Sequence, residues 1–407
     1  MIRPMDPERD TDAVLRIYRE VGWVPEKAHE SAARELMACG RGWVEAAAGS
    51  PECFVATCPG TVRYADRDLP LCAVTSVITS RIARKQGLAG RLTAHALADA
   101  AQRGEAVAML GMFEQGFYDQ LGFGTGVYEH TCTFDPATLR VPARAAIPVR
   151  LEAGDWQAMH AGRLRRVQGH GACSLTPAGM THCEVLWSEN GFGLGYMNAD
   201  GEVSHHMWCS AKGEHGPYRV EWMAYETRAQ FLELLALVRS LGEQVHSIRM
   251  HEPAGIQLQD FLKTPFRWRR LTDRSPHEHR MTASAYWQLR ILDLTTCVAA
   301  MQLACDPIRF NLVLSDPVSD YLSNDSDWRG IAGEYTVVLG PESSVTSGKT
   351  ADLPTLQTTV NAFSRLWFGV RSATSLSWSD ELRAPDALLR ALDNAVCLPA
   401  PVQEWDF

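Results

Sequence analysis

Two short stretches of the chain combine residue types that a group-transfer site would need. In VTSVITSRIARKQGLAGRLTAHAL (74–97) a β-branched run ends near Thr79. A basic loop with Arg84 and Lys85 follows, and Gly87 then opens an alanine- and leucine-rich segment with helical spacing. The pattern Arg84-x-x-Gly87-x-Ala89 puts small residues where a backbone must come close to a ligand. The first amides of a helix have no internal partners. Together with the helix dipole they make a seat for phosphate, and Arg84 and Lys85 add charge beside it. Without a ligand, the same residues would make a plain strand-turn-helix joint with a basic loop. The second stretch, GFYDQLGFG (116–124), follows the apolar run VAMLGMF (107–113). Phe117, Leu121 and Phe123 read as core. Tyr118, at the start of a short helix, brings a hydroxyl that is either one more core group or a proton donor.

The elements that must position these residues can be read outward from them. Residues 1–23 read as a strand and a helix, with Val14, Leu15, Ile17, Tyr18 and Val21 at helical spacing and Asp10 or Asp12 as the cap. CFVAT (53–57) and TVRYA (61–65) read as two strands around a Pro59-Gly60 turn. LPLCAVTSVIT (69–79) reads as a longer strand, 87–101 as a helix and 107–113 as a strand. FDPATLRVPARAAIP (134–148), with three prolines, reads as a linker. From about 149 the strand-helix-strand order recurs, with FGLGYMN, YRVEWMAYE and the helix RAQFLELLALVRSLG (228–242) stopped by Gly242, which suggests an internal structural duplicate. WQLRILDL (287–294) opens a third region with its own strands and helices. The expectation is an α+β protein of three domains, 1–140, 141–285 and 286–407.

Bulk properties narrow the function. The chain has 407 residues, too many for one ordinary core. No apolar run approaches the roughly 20 residues that span a bilayer. The charged start MIRPMDPERD lacks a signal-peptide core, so a cytoplasmic address and no membrane partner are expected. The 11 cysteines show no CxxC spacing and read as free thiols. The net charge of −9 without a basic run argues against a nucleic-acid partner and is compatible with cationic substrates.

Taken together, R84-K-Q-G-L-A89 and G116-F-Y-D-Q-L-G-F-G124 resemble the pyrophosphate loop and catalytic-tyrosine segment of the GNAT acetyltransferase superfamily. Over its full length the chain is similar to the Eis-like (enhanced intracellular survival) N-acetyltransferases. WQLRILDL resembles that group's entry into its last domain, and Glu404-Trp405-Asp406-Phe407 its terminus. The resemblance implies a GNAT domain that takes acetyl-CoA, a second GNAT-like domain without the cofactor loop, and a last domain of sterol-carrier-protein fold. It implies that the backbone at Val77 and Thr79 pairs with the pantetheine arm. Arg84, Lys85, Gly87 and Leu88 would cradle the pyrophosphate, and Tyr118 would protonate the departing thiolate. The terminal carboxylate of Phe407 would act as base for the amine. It also implies a homo-oligomer, often a hexamer. The loop departs from the group in lacking its proline and in carrying lysine where arginine is usual. Ser76, Gly111 and Phe113 stand where the best-known aminoglycoside-modifying members carry other residues, several of them larger or polar, so the acceptor pocket is expected to differ and aminoglycoside specificity is not carried over from the resemblance.

The chemistry asks for such parts in any case. A primary amine with pKa about 10 is mostly ammonium at neutral pH and must lose a proton before it attacks a thioester; a carboxylate can hold it and help remove that proton. An oxyanion needs a backbone N–H, for which the Thr79 amide is the candidate. No metal is needed: His205-His206 with Cys209, and His277-Glu278-His279, are at best half-sites. His182-Cys183 lacks the spatial arrangement of a nucleophilic pair. Trp287, Trp367 and Trp378 read as core or interface, and Glu114 and Asp119 could line an acidic acceptor mouth. The competing readings are a non-catalytic acyl-CoA or lipid-binding protein on the same scaffold and a lipid carrier with the acetyltransferase as passenger.

Overall fold

The computed structural model describes residues 1–25, 29–47, 49–265 and 273–407. The fold is mixed α/β and GNAT-like, with several sheets. The chain divides into two compact units: one takes 1–127, 170–177 and 285–407, the other 128–169 and 178–284.

The first unit is built around a sheet whose early elements are β1 (Ile2–Pro4), α1 (Pro7–Val21), α2 (Glu30–Cys39), β2 (Arg41–Ala47), β3 (Ser50–Tyr64), β4 (Arg67–Thr79), α3 (Leu88–Gln102), β5 (Val107–Gly111), α4 (Gln115–Asp119) and β6 (Gly124–Thr125). The spatial order is β1-β2-β3-β4-β5, then strand Trp287–Ile291, then β6. β3 and β4 are antiparallel. β4 and β5 are parallel, which requires a crossover, and α3 supplies it. The alanines of α3 let it lie close on the sheet, where Leu92, Ala94, Ala96, Leu97 and Ala100 pack with Val55, Val74 and Leu110.

The cap of α1 is Asp6, not Asp10 or Asp12. Its carboxylate accepts from the amides of Glu8 and Arg9, and Pro7 fills the first helical position. Asp10 is instead buried, and Arg3 grips it through both carboxylate oxygens. That guanidinium holds the Asp10 pKa down to about 2.

Pro59-Gly60 does not turn the chain. β3 runs straight through it, and the turn comes later, at Ala65, whose φ is +52°. Pairing with β2 stops at Thr57, and pairing with a short strand, Cys173–Leu175, starts at Gly60. The Pro59 carbonyl accepts from the Thr176 amide at 3.1 Å. The missing N–H of Pro59 therefore faces the gap between two partners, where no ladder bond is required. A Cβ on Gly60 would stand 2.4 Å from the Ser174 carbonyl, so only glycine admits this partner.

WQLRI, read as the opening of a third region, is a strand of this first sheet, antiparallel to both β5 and β6. The same unit also contains a five-stranded sheet ordered Ser344–Ser347, Gly333–Leu339, Ile308–Ser315, Thr355–Thr359, Leu382–Arg383. Arg290, fully buried on strand Trp287–Ile291, bonds Asp316 at 2.7 Å and ties the two sheets together.

The second unit has its own seven-stranded sheet. It begins with Glu129–Phe134, within the stretch read as the end of the first domain. Strand Tyr218–Ala224 is followed by helix Arg228–Ser240 and then by strand Ile248–His251, which pairs parallel to Tyr218–Ala224. Arg163, stacked over Trp222 and bonded to Glu184, is buried in this unit.

Candidate active site

The candidate residues converge where β4 and β5 separate. Their parallel register runs from Leu71↔Val107 to Val74↔Leu110 and goes no further. β4 continues to Thr79, but past Val74 its edge toward β5 has no strand partner among the described residues. A bulge marks the point: Ala56 pairs with Ser76 and Thr57 with Val74, which leaves Thr75 extra. Bulges bend and twist a strand, and here that opens the sheet. β5 meanwhile turns to its other neighbour: Gly111 pairs with Trp287, and the Met112 amide donates to the Tyr286 carbonyl at 2.7 Å. Val77 and Thr79 thus lie on a backbone edge that can pair with an extended ligand. The Val77 side chain itself packs in the core. The Thr79 hydroxyl meets the Cys53 thiol at 3.3 Å.

Beyond Thr79 the chain makes a short turn and reaches α3. Arg84, Lys85, Gln86 and Gly87 are exposed. Lys85 and Gly87 have φ of +61° and +73°, a left-handed alternation of the kind that forms anion-binding backbone concavities. Gly87 is the N-cap of α3, and no side chain caps the helix. The first-turn amides are left open in the manner that phosphate groups exploit. The Leu88 side chain is buried beneath the helix, so this residue offers its amide alone.

Tyr118 lies on α4 after β5 and is 2% exposed. The rings of Phe113, Phe117 and Phe123 surround it, with centroids 6.0, 4.9 and 6.2 Å away. Burial pushes its phenol pKa up, which keeps the proton on the oxygen at neutral pH. The last residue reaches the end of β5: an oxygen of Phe407 lies 3.0 Å from where a Cβ on Gly111 would stand.

Other candidates go elsewhere. Asp119 accepts from the Gln288 amide at 2.7 Å and lines an open cleft of about 610 Å³ with Thr125, Asn361, Arg365 and Asp380. Glu114 is exposed at the start of α4. His206 is fully buried, accepts from the Trp222 indole at 3.1 Å, and has its pKa pushed down to about 3, chiefly by burial. His205 faces Glu233 at 3.3 Å, and His279 accepts from the Asp135 amide at 2.9 Å. Trp287 and Trp367 are core residues, whereas Trp378 is 90% exposed. Sequence reasoning gave no part to Tyr286, Gln403 or segment 170–177, which hold the tail; only the polar-aromatic ending hinted at such an anchor.

With this geometry in hand, the relatives are informative. Residues 2–126 match the model of the acetyltransferase (GNAT) domain. An uncharacterised N-acetyltransferase of Streptomyces avermitilis is 26% identical over 361 residues, which cover 81% of this chain and 80% of that protein. Among solved structures, a GCN5-related N-acetyltransferase from Anabaena variabilis superposes with a TM-score of 0.77 at 12% identity, covering 100% of both chains. Eis1 from Mycobacterium abscessus does so with a TM-score of 0.77 at 16% identity, again over 100% of both chains. At these identities the structures speak for the fold alone. The domain match shows a GNAT acetyltransferase domain over residues 2–126, and together with the sequence relative it marks the chain as an N-acetyltransferase.

Proposed function

We propose that the chain moves an acetyl group from acetyl-CoA directly to a primary amine, on an Eis-like plan. That plan comprises a catalytic GNAT domain, a second GNAT-like domain without the cofactor loop and a sterol-carrier-protein-like last domain. The acceptor is a small polyamine or aminoglycoside-like compound, or a lysine side chain. Bound acetyl-CoA supplies an activated thioester. The open edge of β4 at Val77 and Thr79 suits its extended arm. Arg84, Lys85 and the uncapped amides from Gly87 and Leu88 suit its phosphates. The Thr79 amide is the donor for negative charge developing on the carbonyl oxygen. Tyr118, kept protonated by burial, donates its proton to the leaving sulfur. The Phe407 carboxylate holds the acceptor ammonium and takes its proton.

The observation that carries this reading is the Phe407 oxygen at Gly111, beside the opening between β4 and β5. The test is release of CoA thiol from acetyl-CoA against aminoglycosides, polyamines, arylamines and lysine peptides. Turnover on one class is expected. Tyr118→Phe should reduce kcat by about 10²-fold with the acetyl-CoA KM unchanged. Acetyl-CoA binding without turnover on any amine would instead favour a binding protein.

A further inference from the structure

A base at the chain end poses a mechanical problem, because termini fray unless they are tied down. The last residues are anchored step by step. The Val402 amide donates to the His170 carbonyl at 3.0 Å, and the Gln403 carbonyl accepts from the Cys173 amide at 2.8 Å. Gln403 is fully buried, and its side-chain amide donates to the Trp405 carbonyl. This closes a turn through Glu404, whose φ is +56°. Trp405 is buried as a plug. Beyond it, Asp406 is exposed, and its carboxylate accepts from the Tyr286 hydroxyl. The carbonyl of the same Tyr286 accepts from Met112, the residue after Gly111. At Gly111 a Cβ would crowd the Phe407 oxygen at 3.0 Å, closer than side chains normally approach.

We propose that Tyr286 and Gly111 are positioning residues for the terminal carboxylate. Tyr286 is bonded to the end of β5 through its main chain and to Asp406 through its hydroxyl, so it fixes the last peptide relative to that strand. Gly111 leaves the room into which the carboxylate settles. The inference rests on the reading of Phe407 as the base. Asp406 serves as the hydrogen-bond acceptor for the Tyr286 hydroxyl.

The test compares Tyr286→Phe, Gly111→Ala, Asp406→Asn and a chain with one glycine appended after Phe407. A charge-assisted hydrogen bond is worth about a tenfold effect. Tyr286→Phe and Gly111→Ala should lower kcat by about that factor with the acetyl-CoA KM and melting temperature unchanged. Asp406→Asn, which keeps an acceptor oxygen but removes its charge, should lower kcat in the same direction as Tyr286→Phe and by less. An independent readout needs no amine: a carboxypeptidase should release Phe407 about tenfold faster from Tyr286→Phe than from the wild-type chain. Wild-type kcat and wild-type Phe407 release in Tyr286→Phe would overturn the positioning role. If the extended chain is inactive at the same time, the base reading survives that loss. Full turnover by the extended chain would remove the base reading and the positioning role with it.

Discussion

The two units contain the same joint built in two ways. In each, a strand runs into a helix that crosses over to a parallel neighbour, and in each the parallel register covers only part of the leading strand and stops short of its end. In the first unit the joint spans residues 80–87, is basic and is exposed from Arg84 to Gly87, and opens α3 at Gly87 without a side-chain cap. In the second it shrinks to residues 225–227. There the Thr227 hydroxyl accepts from the Gln230 amide at 3.3 Å, and the Gln230 side chain accepts from the amides of Glu226 and Thr227 at 2.7 and 3.1 Å. This capping box occupies part of the donor set at that helix start. A helix start without a side-chain cap keeps its backbone donors open to an anion, whereas side-chain caps take some of them away.

The comparison can be broken at several points. The largest expected effect concerns the buried ion pairs. Asp316→Ala strands the fully buried Arg290 and should cost about 3–5 kcal/mol of stability. Glu184→Ala in the second unit should cost less, about 1–2 kcal/mol, because water reaches its side chain, which is 22% exposed. Denaturant unfolding of both variants checks the order. Smaller effects are expected at the joints themselves. Gly87→Ala forces a left-handed φ on an L-residue and sets its Cβ 3.0 Å from the Arg91 guanidinium. About 1 kcal/mol of stability and a severalfold rise in the acetyl-CoA KM should follow. Thr227→Ala removes a cap worth about 1 kcal/mol and should leave the acetyl-CoA KM untouched. Equal KM effects at the two joints would erase the distinction.

The first joint was legible in the sequence because its signals are local: a β-branched strand, a basic loop, a glycine and an alanine-rich helix in consecutive order. The placement of Tyr118 on a short helix after β5 was legible for the same reason. The parts that escaped depend on long-range pairing. Pro59-Gly60 carries every mark of a turn, yet a partner 115 residues later in the chain, Leu175 opposite Gly60, turns that stretch into a continuous strand. WQLRI looks like the start of a region but completes the first sheet, because β5 and β6 offer it two free edges. Asp10 looks like a cap, but Arg3 pulls its carboxylate inward. Tyr286 carries no signal of its own, since its role exists only once the tail folds back beside β5.

The most direct test of the central claim is a calorimetric titration of acetyl-CoA into the intact chain and into the double variant Arg84→Glu/Lys85→Glu. The account predicts one site per chain in the wild type, weakened about 10²-fold by reversing the two charges beside the uncapped helix. Unchanged affinity in the double variant, or a second site of equal strength, would contradict it.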